Sequence, residues 1–426
     1  MASPTIPMDV DYHDNHNDDD DTELTSMVRR VLDLSLDDDL QPPPPSPSSS
    51  HSSSHSPSPS PPPSPLHSPS PPPSSSSPSC TSHSSKIREQ ETTRGTKPFR
   101  KIGEGGCSAV FTQEGEPLVI KISKKSKFGE WNDYAMHTII YEEIRRHDVD
   151  VLVPKCYFFV PADDAEFFQK NQDLIRAARD VCDIPTDMLV SERIPSLDED
   201  TKNALINQYC APRLRMRELS DPRNDHCLVK IYLGSVEGKT GERPFSLRNF
   251  ELHLNQMEEV GLDVDRVASA VGQALAVLHW AANVDGWGVQ FVLGGSSNPV
   301  PLSYLEIEEM VPSTYTGPKS RVIEHFFRGK CMLWMLNFDQ VQPITMDVAG
   351  VSRAVDAAVF GDIFLPKRYS RSPLEKRAWD RFRDQYVETS NFILQYEDKK
   401  IQQLPHGFLD RINKIELRNK SHWTRD

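Results

Sequence analysis

Ile102–Phe111 reads IGEGGCSAVF, and VIK follows at Val119–Lys121. Gly103, Gly105 and Gly106 stand between two short β-type runs, Phe99–Ile102 and Ala109–Phe111. A glycine turn between strands lets backbone N–H groups approach a phosphate closely, and a lysine on the following strand can reach the same anion. Pro117–Ser123 has the alternation of that strand, with Val119, Lys121 and Ser123 on one face and Leu118, Ile120 and Ile122 on the other. An ordinary hairpin uses the same glycines only for their positive φ. The turn therefore needs support from the rest of the chain.

Downstream, Asn132 is expected to cap a helix running to His147, with Met136, Ile139, Ile140 and Ile144 at helical spacing. Val151–Val160 and Met188–Ile194 read as further strands. Beyond Pro195 the pattern turns mainly helical. Asp263 is placed to cap a long helix, and Ser372, with Pro373 and Glu375 after it, forms a capping box. Trp379, Phe382, Tyr386 and Ile393 make the buried stripe of that late helix, while Val289–Leu293 and Met332–Leu336 are short strands. The expected fold class is α+β and two-lobed, a small antiparallel sheet lobe followed by a larger, mainly helical lobe.

This order resembles that of protein kinases, whose glycine loop reads Gly-x-Gly-x-x-Gly-x-Val. Gly103, Gly105 and Val110 match it, Gly106 is extra, and Ser108 replaces the third glycine. The resemblance implies that Lys121 binds phosphates and that a helix glutamate holds it. Glu142 is preferred over Glu143, both lying on the expected helix. In LHWAANVDGWGVQFVL, Leu278–Leu293, Asp285 takes the place of the catalytic base and Gln290, five residues on, that of the metal-binding asparagine. In WMLNFDQ, Trp334–Gln340, Asn337 stands where the metal-binding aspartate belongs. Asp339, two residues on and so on the same face of a strand, could substitute. Hard cations favour carboxylate oxygens, and two of these three metal positions are neutral amides.

The runs Leu278–Leu293 and Leu336–Gln340, and the region Phe364–Pro366, also resemble an uncharacterised fungal domain family. Its members show Leu-His-Trp … Val-Glu-Phe-Val-Leu-Gly and Leu-Asp-Phe-Asn-Gln, and some carry a zinc-finger label. The resemblance covers roughly Lys97–Leu394 and implies no established activity. Gln290 stands where Glu is usual, and Asn337 and Asp339 look interchanged.

Composition sets the frame around these motifs. The chain has 426 residues and 35 prolines. Residues 41–85 contain no charge and 16 of those prolines, the rest being mostly serine, with eight Ser-Pro steps. Such a segment cannot bury enough apolar surface to offset its ordering entropy. The first 40 residues carry 12 Asp/Glu and two Arg; the whole chain is −14, so residues 41–426 carry only −4. The expected division is a disordered acidic and Pro/Ser-rich arm over 1–95, a kinase-like small lobe over 96–194 and a large lobe over 195–426. A near-neutral folded part argues against a broad basic nucleic-acid-binding face. Seven scattered cysteines at no metal-ligand spacing argue against zinc and for a reducing compartment. The longest apolar-rich run, Val267–Ala282, is too short to span a bilayer, so an intracellular protein of cytoplasm or nucleus is expected.

The leading expectation is a kinase-fold-like binding or regulatory protein with weakened or lost phosphotransfer and a protein partner. The glycine turn and Lys121 could bind ATP, with weak or no Mg²⁺ dependence. An active atypical phosphotransferase using Asp285 as base is the second reading. The third is a transcription-linked protein acting through its acidic arm, where Val28, Val31 and Leu32 fall on one helical face with Met27 beside it.

Overall fold

The alternation of Leu118–Ser123 buries Leu118, Ile120 and Ile122 and leaves Val119 and Lys121 partly exposed. That strand is the centre of a five-stranded antiparallel sheet in a computed structural model describing residues 97–125, 129–238, 245–295, 323–326, 329–361 and 365–423. The strands are β1 (Phe99–Glu104), β2 (Ser108–Gln113), β3 (Leu118–Ser123), β4 (Cys156–Val160) and β5 (Met188–Glu192), in the order β1-β2-β3-β5-β4. The register sets Val110 against Lys121 and Lys121 against Leu189. Phe111, Ile120, Ile122, Met188 and Val190 form the core under this sheet, with Phe167, Leu174 and Ala178 from two short helices.

Six helices exceed ten residues among the described residues: α1 (Gly129–Arg146), α2 (Glu199–Tyr209), α3 (Val264–Trp280), α4 (Val348–Phe360), α5 (Pro373–Ile393) and α6 (Leu404–Trp423). Helix α1 starts three residues before the expected Asn132 cap. Asn132 is not at the helix start; its amide donates instead to the carbonyls of Asp339 and Val341, at 2.9 Å each. Asp263 and Ser372 do cap α3 and α5, through Arg266 N–H and Glu375 N–H.

The region after Pro195 is less exclusively helical than its pattern suggests. It holds a second five-stranded sheet, β7-β6-β8-β10-β9, built from β6 (Val229–Tyr232), β7 (Glu251–His253), β8 (Gln290–Gly294), β9 (Ile323–Phe326) and β10 (Gly329–Leu336). Its pairs are antiparallel except β6–β7. Strands of four and three residues, such as β6 and β7, carry too little alternation to be read from sequence.

The expected strand Val151–Val160 divides at Pro154, which has no N–H for a ladder. Before it, Leu152 N–H donates to Leu333 and the Leu152 carbonyl accepts from Met335 N–H, at 2.9 and 2.8 Å. After it, Cys156–Val160 pairs with β5. Helices α3 and α5 pack so closely that a Cβ on Gly272 would lie 2.4 Å from the Phe382 carbonyl oxygen. Trp379, Phe382 and Tyr386 are buried in the same core. The molecule is mixed α and β, with two largely antiparallel sheets and helices. The acidic and Pro/Ser-rich arm and the stretch Tyr304–Met310 lie outside the described residues, as does Phe364.

Candidate functional site

β3 delivers Lys121 to a buried cluster of acids. Its Nζ donates to Asp133 Oδ2 at 2.6 Å and stands 4.0 Å from Asp339 Oδ1. The second Asp133 oxygen accepts the Phe338 backbone N–H at 3.1 Å. One carboxylate on α1 thus ties the first sheet to the segment that follows β10. Burial alone would lower the Lys121 pKa, but Asp133, Asp339 and Glu130 more than offset it, and the ammonium is held above its usual value. Glu130 is 3% exposed, and burial pushes its carboxyl up to about 7 against the pull of Lys121. One cation surrounded by three acids cannot neutralise them all, so a proton on Glu130 fits the local charge balance.

The expected Lys121–Glu142 pair does not form. Glu142 pairs with Arg145 at 3.4 Å on the surface, and Glu143 with Arg146. Nine residues separate Asp133 from Glu142, about two and a half helical turns, so the two point to opposite sides of α1. Asp133 shares its face with Met136, His137, Ile140 and Ile144, all buried. A carboxylate on an apolar helical stripe is the signal that sequence reading passed over.

The glycine turn is formed by a Gly105 N–H bond to the Ser108 carbonyl at 2.9 Å, with Gly105 and Gly106 exposed. Gly103 lies on β1 opposite Val110, beside a bulge. Glu104 in the same turn pairs with Lys101 and Lys124, which hold its carboxyl down at about 2. The turn is therefore tied to the end of β3.

Asp285 lies in a loop after α3. Its Oδ1 accepts the N–H groups of Trp287 and Gln342, at 3.0 Å each, and its own N–H donates to the Gln342 carbonyl. It is 4% exposed, and burial raises its pKa. With Trp287, Gln340, Gln342 and Arg353 it lines a cavity of about 280 Å³. Nearby, Asn337 directly follows β10 with φ of 75° and donates through Nδ2 to the Gly288 carbonyl at 2.9 Å. Gly288, with φ of 77°, permits that approach. Gln290 begins β8 and faces Leu336 across the ladder. Behind the loop, His279 Nδ1 meets the Tyr386 hydroxyl at 2.9 Å, and burial holds the imidazole pKa down at about 3.

The segment 337–342 is common to both groups. It brings Asp339 to Lys121 and Gln342 to Asp285. Asn337 is instead committed to Gly288, and Gln290 pairs with Leu336 in the β8–β10 ladder.

Comparison with known proteins adds little. A family model, DUF3669, described as "Zinc finger protein", matches residues 333–398, a small part of the chain. No curated protein matches. A solved structure entitled "Structure of the GDP and kanamycin complex of APH(2")-IIia" is similar at 9% identity, over 76% of this chain and 96% of that one, with a TM-score of 0.22. At that TM-score the likeness carries no argument.

The family description contradicts the expectation of ATP without zinc, and that expectation is withdrawn. The residues do not fit a zinc centre either. The matched span contains neither cysteine nor histidine, the ligands that dominate structural zinc sites. Among the described residues no group of three or more His, Cys, Asp or Glu could hold a metal ion. No helix among them is long and apolar enough to cross a membrane.

Proposed function

We propose that this chain is a kinase-like binding or regulatory protein in which phosphotransfer is weakened or lost. The reading takes residues 96–194 as the small lobe and the following residues as the large one. The observation that carries it is the commitment of Lys121 to Asp133, whose other oxygen is occupied by Phe338 N–H. A phosphate seeking that ammonium must compete with a buried carboxylate 2.6 Å away. Phosphoryl transfer also needs a positioned divalent ion on the phosphates. Of the three expected metal positions only Asp339 carries charge, and Asn337 already donates to a carbonyl.

A second reading, an active atypical phosphotransferase, draws on two observations. Asp339 stands beside Lys121, and Asp285 opens onto a cavity with its pKa raised by burial, as suits a general base. The deciding experiment is a phosphoryl-transfer and hydrolysis assay with a Mg²⁺–nucleoside triphosphate mixture and the full chain. No turnover above the Asp285→Ala background supports the regulatory reading. Mg²⁺-dependent turnover abolished by both Asp285→Ala and Asp339→Ala rejects it for the enzyme.

A further inference from the structure

The cavity beside Asp285 contains a charge that the chain itself leaves unmet. Asp285 Oδ1 accepts two backbone N–H groups, whereas Oδ2 accepts none among the described residues. Unlike the unpaired oxygen of Asp339, Oδ2 is not sealed from solvent, and it opens onto the cavity of about 280 Å³ that Asp285 lines. The residue as a whole is only 4% exposed. A carboxylate taken out of water is costly unless a cation or enough donors meet it. Burial raises its pKa, and the Trp287 and Gln342 N–H groups and the charge of Arg353 offset this only in part.

The nearest resident cation is held away. Arg353, on α4, donates from its guanidinium to the Pro343 carbonyl at 3.3 Å and makes no ion pair among the described residues. Asp356, one turn further along α4, lines the same cavity and has no partner among the described residues. Two carboxylates and one guanidinium leave the lining with one net negative charge, which a monocation balances. Trp287 belongs to the same lining, and an indole ring beside the opening also favours a cation.

The free oxygen decides the form of that cation. A guanidinium fork pairs with both oxygens of a carboxylate, and Oδ1 already accepts two N–H groups. A quaternary ammonium has no N–H to give to Oδ2. A primary ammonium is a compact point charge with three donors.

We propose that the Asp285 cavity binds a primary ammonium on a short alkyl stem, with one N–H on Asp285 Oδ2, a second toward Asp356 and the stem along Trp287. The volume lies just under the roughly 300–1,000 Å³ of drug-sized sites, which suits a group of this size. The inference rests on the binding-protein reading above and names the chemistry of what is bound. A free small amine and a lysine side chain share that chemistry.

The test is titration of the full chain, without nucleotide, followed by the indole N–H resonance of Trp287, which Trp287→Phe assigns. The probes are n-butylammonium, butyltrimethylammonium, which lacks N–H, butylguanidinium, and 1-butanol, which lacks charge. Butylammonium should bind, and each of the others should bind at least about tenfold more weakly, the loss of one charge-assisted contact. Nα-acetyl-lysine methylamide separates the two sources. Binding tighter than that of butylammonium assigns the site to a lysine side chain, and weaker binding assigns it to a free amine. Asp285→Asn, checked for folding by thermal melt, should remove binding. Asp356→Asn should weaken it severalfold and Arg353→Gln tighten it severalfold, both at exposed positions where folding is not at stake. No butylammonium binding at tens of millimolar overturns the proposal. So do equal affinities for butylammonium and 1-butanol, weaker binding by Arg353→Gln, or displacement of the amine by Mg²⁺ at lower concentration. Because nucleotide is left out, failure here leaves the turnover result as it stands, and Asp285-dependent turnover would reject the regulatory reading without touching amine binding.

Discussion

The carboxylate of Asp133 stands 2.6 Å from the ammonium of Lys121, with side chains only 4% and 15% exposed. Removing one partner of a buried pair leaves the other charge uncompensated, at a cost of about 3–5 kcal/mol. Asp133→Ala should therefore lower unfolding stability by several kcal/mol, while Glu142→Ala, at an exposed pair, should change it by less than about 1 kcal/mol. Denaturant unfolding of both variants measures the difference, and equal effects would refute the pairing.

Glu130 sets a pH dependence. Its folded pKa of about 7 lies above the ordinary 4.5. Between these values the unfolded chain has released a proton that the folded chain keeps. Stability through this group is thus fully present below pH 4.5, falls as pH rises toward 7, and is flat above. The total is on the order of 3 kcal/mol. Glu130→Gln should remove that slope and be more stable than the parent at pH 8, but not at pH 4. Paired melts at the two values check it.

Two glycines should respond to alanine with opposite signs. At Gly272 the new Cβ would meet backbone atoms of Phe382 and Tyr386 on α5, at 2.4 and 3.1 Å. Backbone cannot swing aside, so Gly272→Ala should cost at least about 1–3 kcal/mol, as overpacking does. Gly407, within α6, has nothing within 4 Å of its Cβ position. Gly407→Ala should stabilise by up to about 1 kcal/mol. Thermal melts showing the same sign for both would contradict the α3–α5 contact.

Tyr386→Phe should leave His279 Nδ1 buried without its hydroxyl partner. A loss of about 1–3 kcal/mol is expected. The His279 ring resonances should shift with it in an NMR spectrum, and no change in either readout would remove the bond from the account.

Much of the first sheet is readable from sequence, because β3 alternates cleanly and its glycine turn is bounded by β-type runs. The caps at Asp263 and Ser372 are equally plain, since their side chains act within one turn of chain. The lysine's partner is not. Choosing among Asp133, Glu142 and Glu143 depends on helical phase, and α1 begins before the residue that looks like its cap. The role of Asn132 is hidden for the same reason, as its partners lie some 200 residues away. The second sheet escapes because β6 and β7 are short and gain their meaning only from pairing with distant segments. Asp339 is visible as an alternative to Asn337, but only the fold shows which of them stands by Lys121.

The bonds that Leu152 makes to Leu333 and Met335 also have a consequence in time. A ribosome adds about 5–20 residues per second, so roughly ten to forty seconds pass between the emergence of these partners. Until β10 arrives, Leu152 has no strand to bond, and Val151 and Val153, both nearly fully buried in the finished protein, belong to a core that is still incomplete. This strip is where a nascent chain would offer a chaperone its grip, and a fragment ending before β10 would keep offering it.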